Sequence, residues 1–203
     1  MADSIVFHWA PFLIYIFIST YTPGPNNITS MTYASQVGFG KSYVFNIGLF
    51  IGRFTTALMC ALCTGLLYVY IPKIQFFMKT AGALYMLFLA WKTLRNTASI
   101  HAKEIRFNAA SGIASGVALQ FVNPKAWIVG INVMSSYVLP YYKEMVPVIG
   151  FAALFSLVSC SGNICWGLFG TLFRKLFINH GKIIHIAMAC LLAYCAASLF
   201  IRA

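Results

Sequence analysis

Two short stretches interrupt the apolar runs of this 203-residue chain with residue types that can do chemistry: Thr22-Pro23-Gly24-Pro25-Asn26-Asn27 and Asn123-Pro124-Lys125. A proline inside a helix removes one backbone hydrogen bond and blocks another carbonyl, a loss of about 3 kcal/mol. Asparagine is a good N-cap and proline is at home in the first helical position, so Asn123-Pro124 starts a new helical segment, and Thr22-Pro23 follows the same logic. Each break presents unpaired backbone amides at a helix N-terminus, where the aligned peptide dipoles favour an anion. Two such ends make a cradle for a carboxylate. Lys125 and Arg53 add cations within apolar runs, where an ionised group normally faces a partner or a cavity. Asn46, on the approach to Arg53, and Asn163 are further polar candidates. Around Asn163 the residues Ser156, Ser159, Ser161 and Trp166 interrupt the run and suit hydrogen bonds across helices.

Other chemistries find less support. Six cysteines, at 60, 63, 160, 165, 190 and 195, all lie in apolar segments, where a thiol packs as a small hydrophobe. Cys60 and Cys63 form a C-x-x-C, the basis of one alternative, a small membrane thiol oxidoreductase. His8, His101, His180 and His185 show no metal-ligand spacing, and no nucleophile stands with its base. The expectation is a protein without cofactor or metal, and not an enzyme. Gly48 with Gly52 and Gly112 with Gly116 have the small-xxx-small spacing that lets helices approach closely.

The elements that must position these residues follow from composition. Of the residues 61% are hydrophobic and 8% charged, far below the roughly 25% charged residues of a soluble domain. Charge-free runs such as 4–40, 107–124 and 145–173 reach or exceed the roughly 20 residues that cross a bilayer as a helix. Barrel strands alternate in polarity, and LLYVYI or ALYMLFLAW do not. The net charge of +11 lies between apolar segments, as orientation signals do, so nucleic acid is not expected as a partner. Asp3 replaces the positive start of a signal peptide, and the first apolar run reads as a retained span.

Six helices fit, over about 5–30, 43–71, 74–94, 109–139, 146–172 and 182–201, in a single transmembrane domain whose halves are about 1–95 and 109–203. With the N-terminus outside, the inner loops hold eight lysines and arginines and the outer loops four. The excess belongs inside, so both termini are expected outside. Three spans per half insert the second half upside down, the inverted repeat common among transporters, with the first and fourth helices broken.

The order and spacing of TPGPNN in the first span, NPK in the fourth, a basic central loop and a length near 200 resemble the LysE/RhtB family of bacterial amino-acid exporters over nearly the whole chain. ALQFVNPK, the VLP at 138–140, GNICWGLFG and LLAYCA look like its cysteine and O-acetylserine exporter branch. The resemblance implies export of a small amino acid from the cytoplasm across the inner membrane, driven by the proton gradient, with Thr22, Pro23, Gly24, Pro25, Asn26, Asn27, Asn123, Pro124 and Lys125 binding substrate. Several members carry an acidic residue in the fifth span, whereas LVSCSGN has none, and Asp3, Glu104 and Glu144 lie at expected ends or loops. No buried carboxyl relay for protons is readable.

The function expected is therefore a secondary exporter working by alternating access, with an amino acid as its small-molecule partner, lipid around it and protons as the coupling ion. The breaks and Lys125 would hold the carboxylate, and Asn26, Asn27 and Asn163 its other polar atoms. A channel for small neutral solutes is the second alternative, since paired half-helix breaks also suit a pore. Oligomeric state is not encoded in any of these patterns.

Overall fold

The structure, a computed structural model, describes residues 7–63 and 108–172, with scattered helical positions within 80–94 and 183–197. The expected third and sixth helices therefore fall largely outside the described residues, as do residues 64–71 of the second and the basic central loop. All regular structure among the described residues is helical. The chain is an all-α membrane protein.

The first expected span is two helices. α1 (Trp9–Tyr21) and α2 (Pro25–Val37) have 13 residues each, about 20 Å at 1.5 Å per residue. Neither alone crosses a hydrocarbon core of about 30 Å. Together they do, so residues 22–24 break the span in its interior. α2 also runs beyond the expected end at residue 30. Its polar stretch SMTYASQV reads as a loop by composition, but Ser30 and Ala34 are buried against other helices, which removes the need for an apolar face toward lipid.

Gly38, at φ 85°, turns the chain directly into α3 (Phe39–Leu62), earlier than the expected start at residue 43. That left-handed conformation is open to glycine without steric penalty. The fourth span begins at Asn108, whose side chain accepts from the Ser111 amide at 3.2 Å, and divides into α4 (Ala109–Val122) and α5 (Pro124–Asn132). A π-helical segment follows, Val133–Val138, where an uninterrupted α-helix to 139 was expected. α6 (Met145–Leu172) matches the expected fifth helix. α3 and α6 are each long and apolar enough to cross a membrane, with mean hydropathies of 1.5 and 1.9.

The most extensive packing joins α3 to α4 and α6 to α2 and α3. The paired glycines make the first of these possible. A Cβ on Gly48 would stand 2.2 Å from the Ile113 carbonyl oxygen, and one on Gly116 would stand 2.4 Å from that of Phe45. The main apolar core gathers Phe12 and Ile16 of α1, Ala57 and Cys60 of α3, Val129, Val133, Met134 and Val138 of the fourth span, and Phe151 and Phe155 of α6. A smaller cluster, Phe45, Leu49 and Leu119, lies between α3 and α4. Between these apolar regions runs a polar seam.

Gly48→Ala forces backbone apart from backbone and should cost about 1–3 kcal/mol of stability. Gly150, with no atom within 4 Å of its would-be Cβ, is the control, and Gly150→Ala, inside α6, should leave stability unchanged or raise it by up to about 1 kcal/mol. Thermal unfolding in detergent separates the two.

Candidate functional site

The two breaks meet. Asn123 Nδ2 donates to Asn26 Oδ1 at 2.8 Å, joining α5's cap to α2's first turn across 97 residues of sequence. Asn123 also accepts from the Lys125 amide at 3.1 Å, and its carbonyl accepts from the Ala126 amide at 3.0 Å. The α5 N-terminus is thus capped by its own N-cap residue and is not the open cradle expected for it.

At α2 the reverse holds. Its N-cap, Gly24, offers no side chain; the Ile28 amide bonds the Gly24 carbonyl at 2.9 Å. The buried amides of Asn26 and Asn27 find no acceptor among the described residues. The open anion-favouring terminus is therefore that of α2 alone.

The carbonyl end of α1 is served by side chains from elsewhere. Asn27 Nδ2 donates to the carbonyls of Thr20 at 2.8 Å and Thr22 at 3.0 Å, tying the two halves of the broken span together. Trp166 Nε1 donates to the Tyr21 carbonyl at 3.2 Å, and the Tyr21 hydroxyl lies 3.0 Å from Ser161 Oγ. These are the cross-helix bonds expected of the polar residues on α6. Lys125 Nζ completes the set, donating to the carbonyls of Thr22 at 3.0 Å and Pro23 at 3.5 Å. Its ammonium is turned toward carbonyl oxygens rather than held out toward an anion.

Arg53 is buried, 8% exposed, on the α3 face toward α5 and α6. Its Nη1 donates to the Ala126 carbonyl at 2.9 Å and its Nε to Ser159 Oγ at 3.3 Å, with the guanidinium 4.9 Å from the centre of the Phe155 ring. No carboxylate pairs with it among the described residues. Its Nη2 has no acceptor among them either.

Gln120, fully buried, links Arg53 to the breaks. It accepts from Asn26 Nδ2, while the other side of its carboxamide lies 3.1 Å from Arg53 Nε and 3.2 Å from Nη1. Three carboxamides, Asn123, Asn26 and Gln120, thus run in series between two obligatory donors, the Lys125 amide and the Arg53 guanidinium. A carboxamide in such a chain donates on one side and accepts on the other. With Gln120 nitrogen toward Arg53, donor faces donor there; with its oxygen turned toward Arg53, donor faces donor at Asn26 instead. Because the Lys125 amide fixes Asn123, neither choice satisfies the chain. The seam carries one donor too many, and burial makes each unmatched group expensive.

Asn26, Arg53, Asn123, Lys125 and Ser159 line one cavity, with Ser19, Thr20, Gly24, Pro25, Asn27, Val129 and Asn163 completing its walls. Its free volume is about 20 Å³, room for about one water. Asn163 is buried in its wall, and its side chain has no hydrogen-bond partner among the described residues.

The chain matches the family model described as LysE type translocator over residues 17–203. It belongs to that family. It is 36% identical over 192 residues, 93% of this chain and 95% of each relative, to proteins named cysteine/O-acetylserine efflux protein in Escherichia coli O9:H4 (strain HS), Escherichia coli (strain K12) and Shigella flexneri serotype 5b (strain 8401). No solved structure matches the chain.

Of the residues singled out by sequence in this LysE type translocator, Gly24, Pro25, Asn26, Asn27, Arg53, Asn123, Lys125 and Asn163 share the cavity. Thr22 and Pro23 reach it through their carbonyls, and Pro124 sets the α5 start. Asn46 does not join them. It accepts from Ser30 Oγ and lines a separate depression with Phe39, Ser42 and Cys160. Cys60 belongs to the apolar core. Ser159, expected to bond across helices, does so with Arg53; Gln120 was not expected at the site, although a lone glutamine one turn before Asn123 was a signal.

Two asparagines should respond oppositely. Asn27→Ala unties α1 from α2 and should lower stability by about 1–3 kcal/mol. Asn163→Leu removes a buried carboxamide that has no protein partner and should leave thermal stability unchanged or raised.

Proposed function

We propose that this translocator exports small amino acids, cysteine and O-acetylserine among them, from the cytoplasm across the bacterial inner membrane. Export runs by alternating access, the two halves rocking about the cavity where the breaks meet, with both termini outside and protons as the coupling ion. The observation that carries the reading is the surplus of buried donors around Arg53. Among the described residues the guanidinium meets no carboxylate, the α2 amides meet no acceptor and one carboxamide donor is in excess; such a site calls for an acceptor, and an amino acid's carboxylate accepts from several donors at once.

In this arrangement the carboxylate sits between the α2 amides and Arg53, and Asn163 reaches the polar atoms of the side chain. A cavity with room for one water favours a carrier that opens to each side in turn over a continuous pore. The family and the names of the relatives support transport over thiol chemistry, as does the packing of Cys60 within the core. Glu144 is exposed, and no carboxyl lines the cavity among the described residues. Coupling to protons in this reading does not run through an acid of the site.

Arg53→Met tests the assignment because it separates stability from transport. A buried cation with no anionic partner costs folding energy, and replacing it with an apolar side chain of similar volume is often neutral or stabilising. The variant should keep its thermal stability to within about 1 kcal/mol while saturable counterflow of labelled cysteine in proteoliposomes falls at least about tenfold, a loss of about 1.4 kcal/mol of binding. Unchanged counterflow in a stably folded variant would refute the site.

A further inference from the structure

We infer that Lys125 is a tethered competitor for the substrate's ammonium: in the empty carrier its Nζ occupies the seat on the α1 carbonyls that the amino acid's own ammonium takes on binding. The inference rests on the reading of this cavity as an amino-acid site.

The break between α1 and α2 has two chemically opposite sides. Toward α2 it presents amides, and toward α1 it presents the last carbonyls of a helix, where the dipole favours a cation. The carbonyls of Thr20 and Tyr21 are held by Asn27 and Trp166, neutral donors fixed by their own helices. The Thr22 carbonyl takes both Asn27 and the Lys125 ammonium, and the Pro23 carbonyl takes the ammonium. One polypeptide break thus offers a carboxylate seat and an ammonium seat across Gly24, the complement of a zwitterion. The ammonium seat is already filled by a group on the chain.

Lys125 also fills space. A Cβ on Gly24 would stand 3.2 Å from both Cδ and Nζ of Lys125, so the lysine stem lies flat over Gly24 and leaves a cavity too small for an amino acid. Entry of substrate requires its withdrawal. A four-carbon stem with a rotatable ammonium can swing away, and the incoming ammonium replaces it charge for charge on the same carbonyls. When substrate leaves, Lys125 returns, and the Thr22 and Pro23 carbonyls keep a donor while the empty carrier changes orientation.

Binding of three probes under reductant tests this: cysteine, cysteamine, which lacks the carboxylate, and 3-mercaptopropionate, which lacks the ammonium. In Lys125→Met the cysteamine Kd itself should fall at least about threefold, because the competitor for the ammonium seat is gone. An unchanged or higher cysteamine Kd overturns the inference, since a lysine that instead held the carboxylate would raise the 3-mercaptopropionate Kd and lower nothing for cysteamine. In proteoliposomes the variant should lose net cysteine efflux by a larger factor than cysteine exchange; equal losses also overturn it. Should Lys125→Met fail to fold, Lys125→Gln removes the charge and keeps a polar side chain, and the same fall in the cysteamine Kd is expected and the same constancy overturns. If the wild-type chain binds cysteamine and 3-mercaptopropionate but not cysteine, the amino-acid reading itself is what fails.

Discussion

The hydrogen bond between Asn123 and Asn26 is the interaction on which the rest of the site depends. It joins two helix breaks that are far apart in sequence, and it exists only because both breaks fall in the interior of their spans. A break at the membrane surface would have water for its freed backbone groups. In the interior the groups must be matched by protein, and each break here is matched from the other. Asn123 caps α5 and holds Asn26, and Lys125, next to Pro124 in the chain, holds the carbonyls ahead of Pro25.

The match is uneven. On the α1 side of the break the carbonyls of Thr20, Tyr21, Thr22 and Pro23 take donors from Asn27, Trp166 and Lys125. Among the described residues the amides of Asn26 and Asn27 have no acceptor, and Arg53 adds further donors to the same cavity with no carboxylate there to take them. Natural cores rarely leave such groups unmatched without cause, because each costs on the order of 1–3 kcal/mol. In the proposed function, such an imbalance in a cavity shared by both halves of the chain is what would draw an anion into it. The close α3–α4 contact made by Gly48 and Gly116 supports this geometry, because it brings Gln120 of α4 against Arg53 of α3.

Much of this was legible in the sequence. Proline placement in a charge-free run forces a break, and Asn123 before Pro124 forces a new start, so the broken first and fourth spans and their polar residues could be read directly. Element ends were less legible. The polar stretch after Asn27 looked like a connection and is helix, since burial against α6 supplies what its composition lacks. Gly38 rather than a longer loop makes the turn, and the π-helical segment at 133–138 left no mark in a run of residues that suit any helix.

The sequence by itself determined that the chain spans a membrane as helices, that two of the spans are broken, and that cations and carboxamides lie within them, because these follow from local backbone chemistry and the absence of charge. Tertiary structure decided which polar residues share one cavity. Arg53 joined it and Asn46 did not, although they lie seven residues apart on α3, because seven residues are two turns: the two share a face but stand about 10 Å apart along the axis, against different neighbours. It also decided that α2, and not α5, keeps open amides, since whether an N-cap side chain folds back on its own helix depends on what else stands within reach.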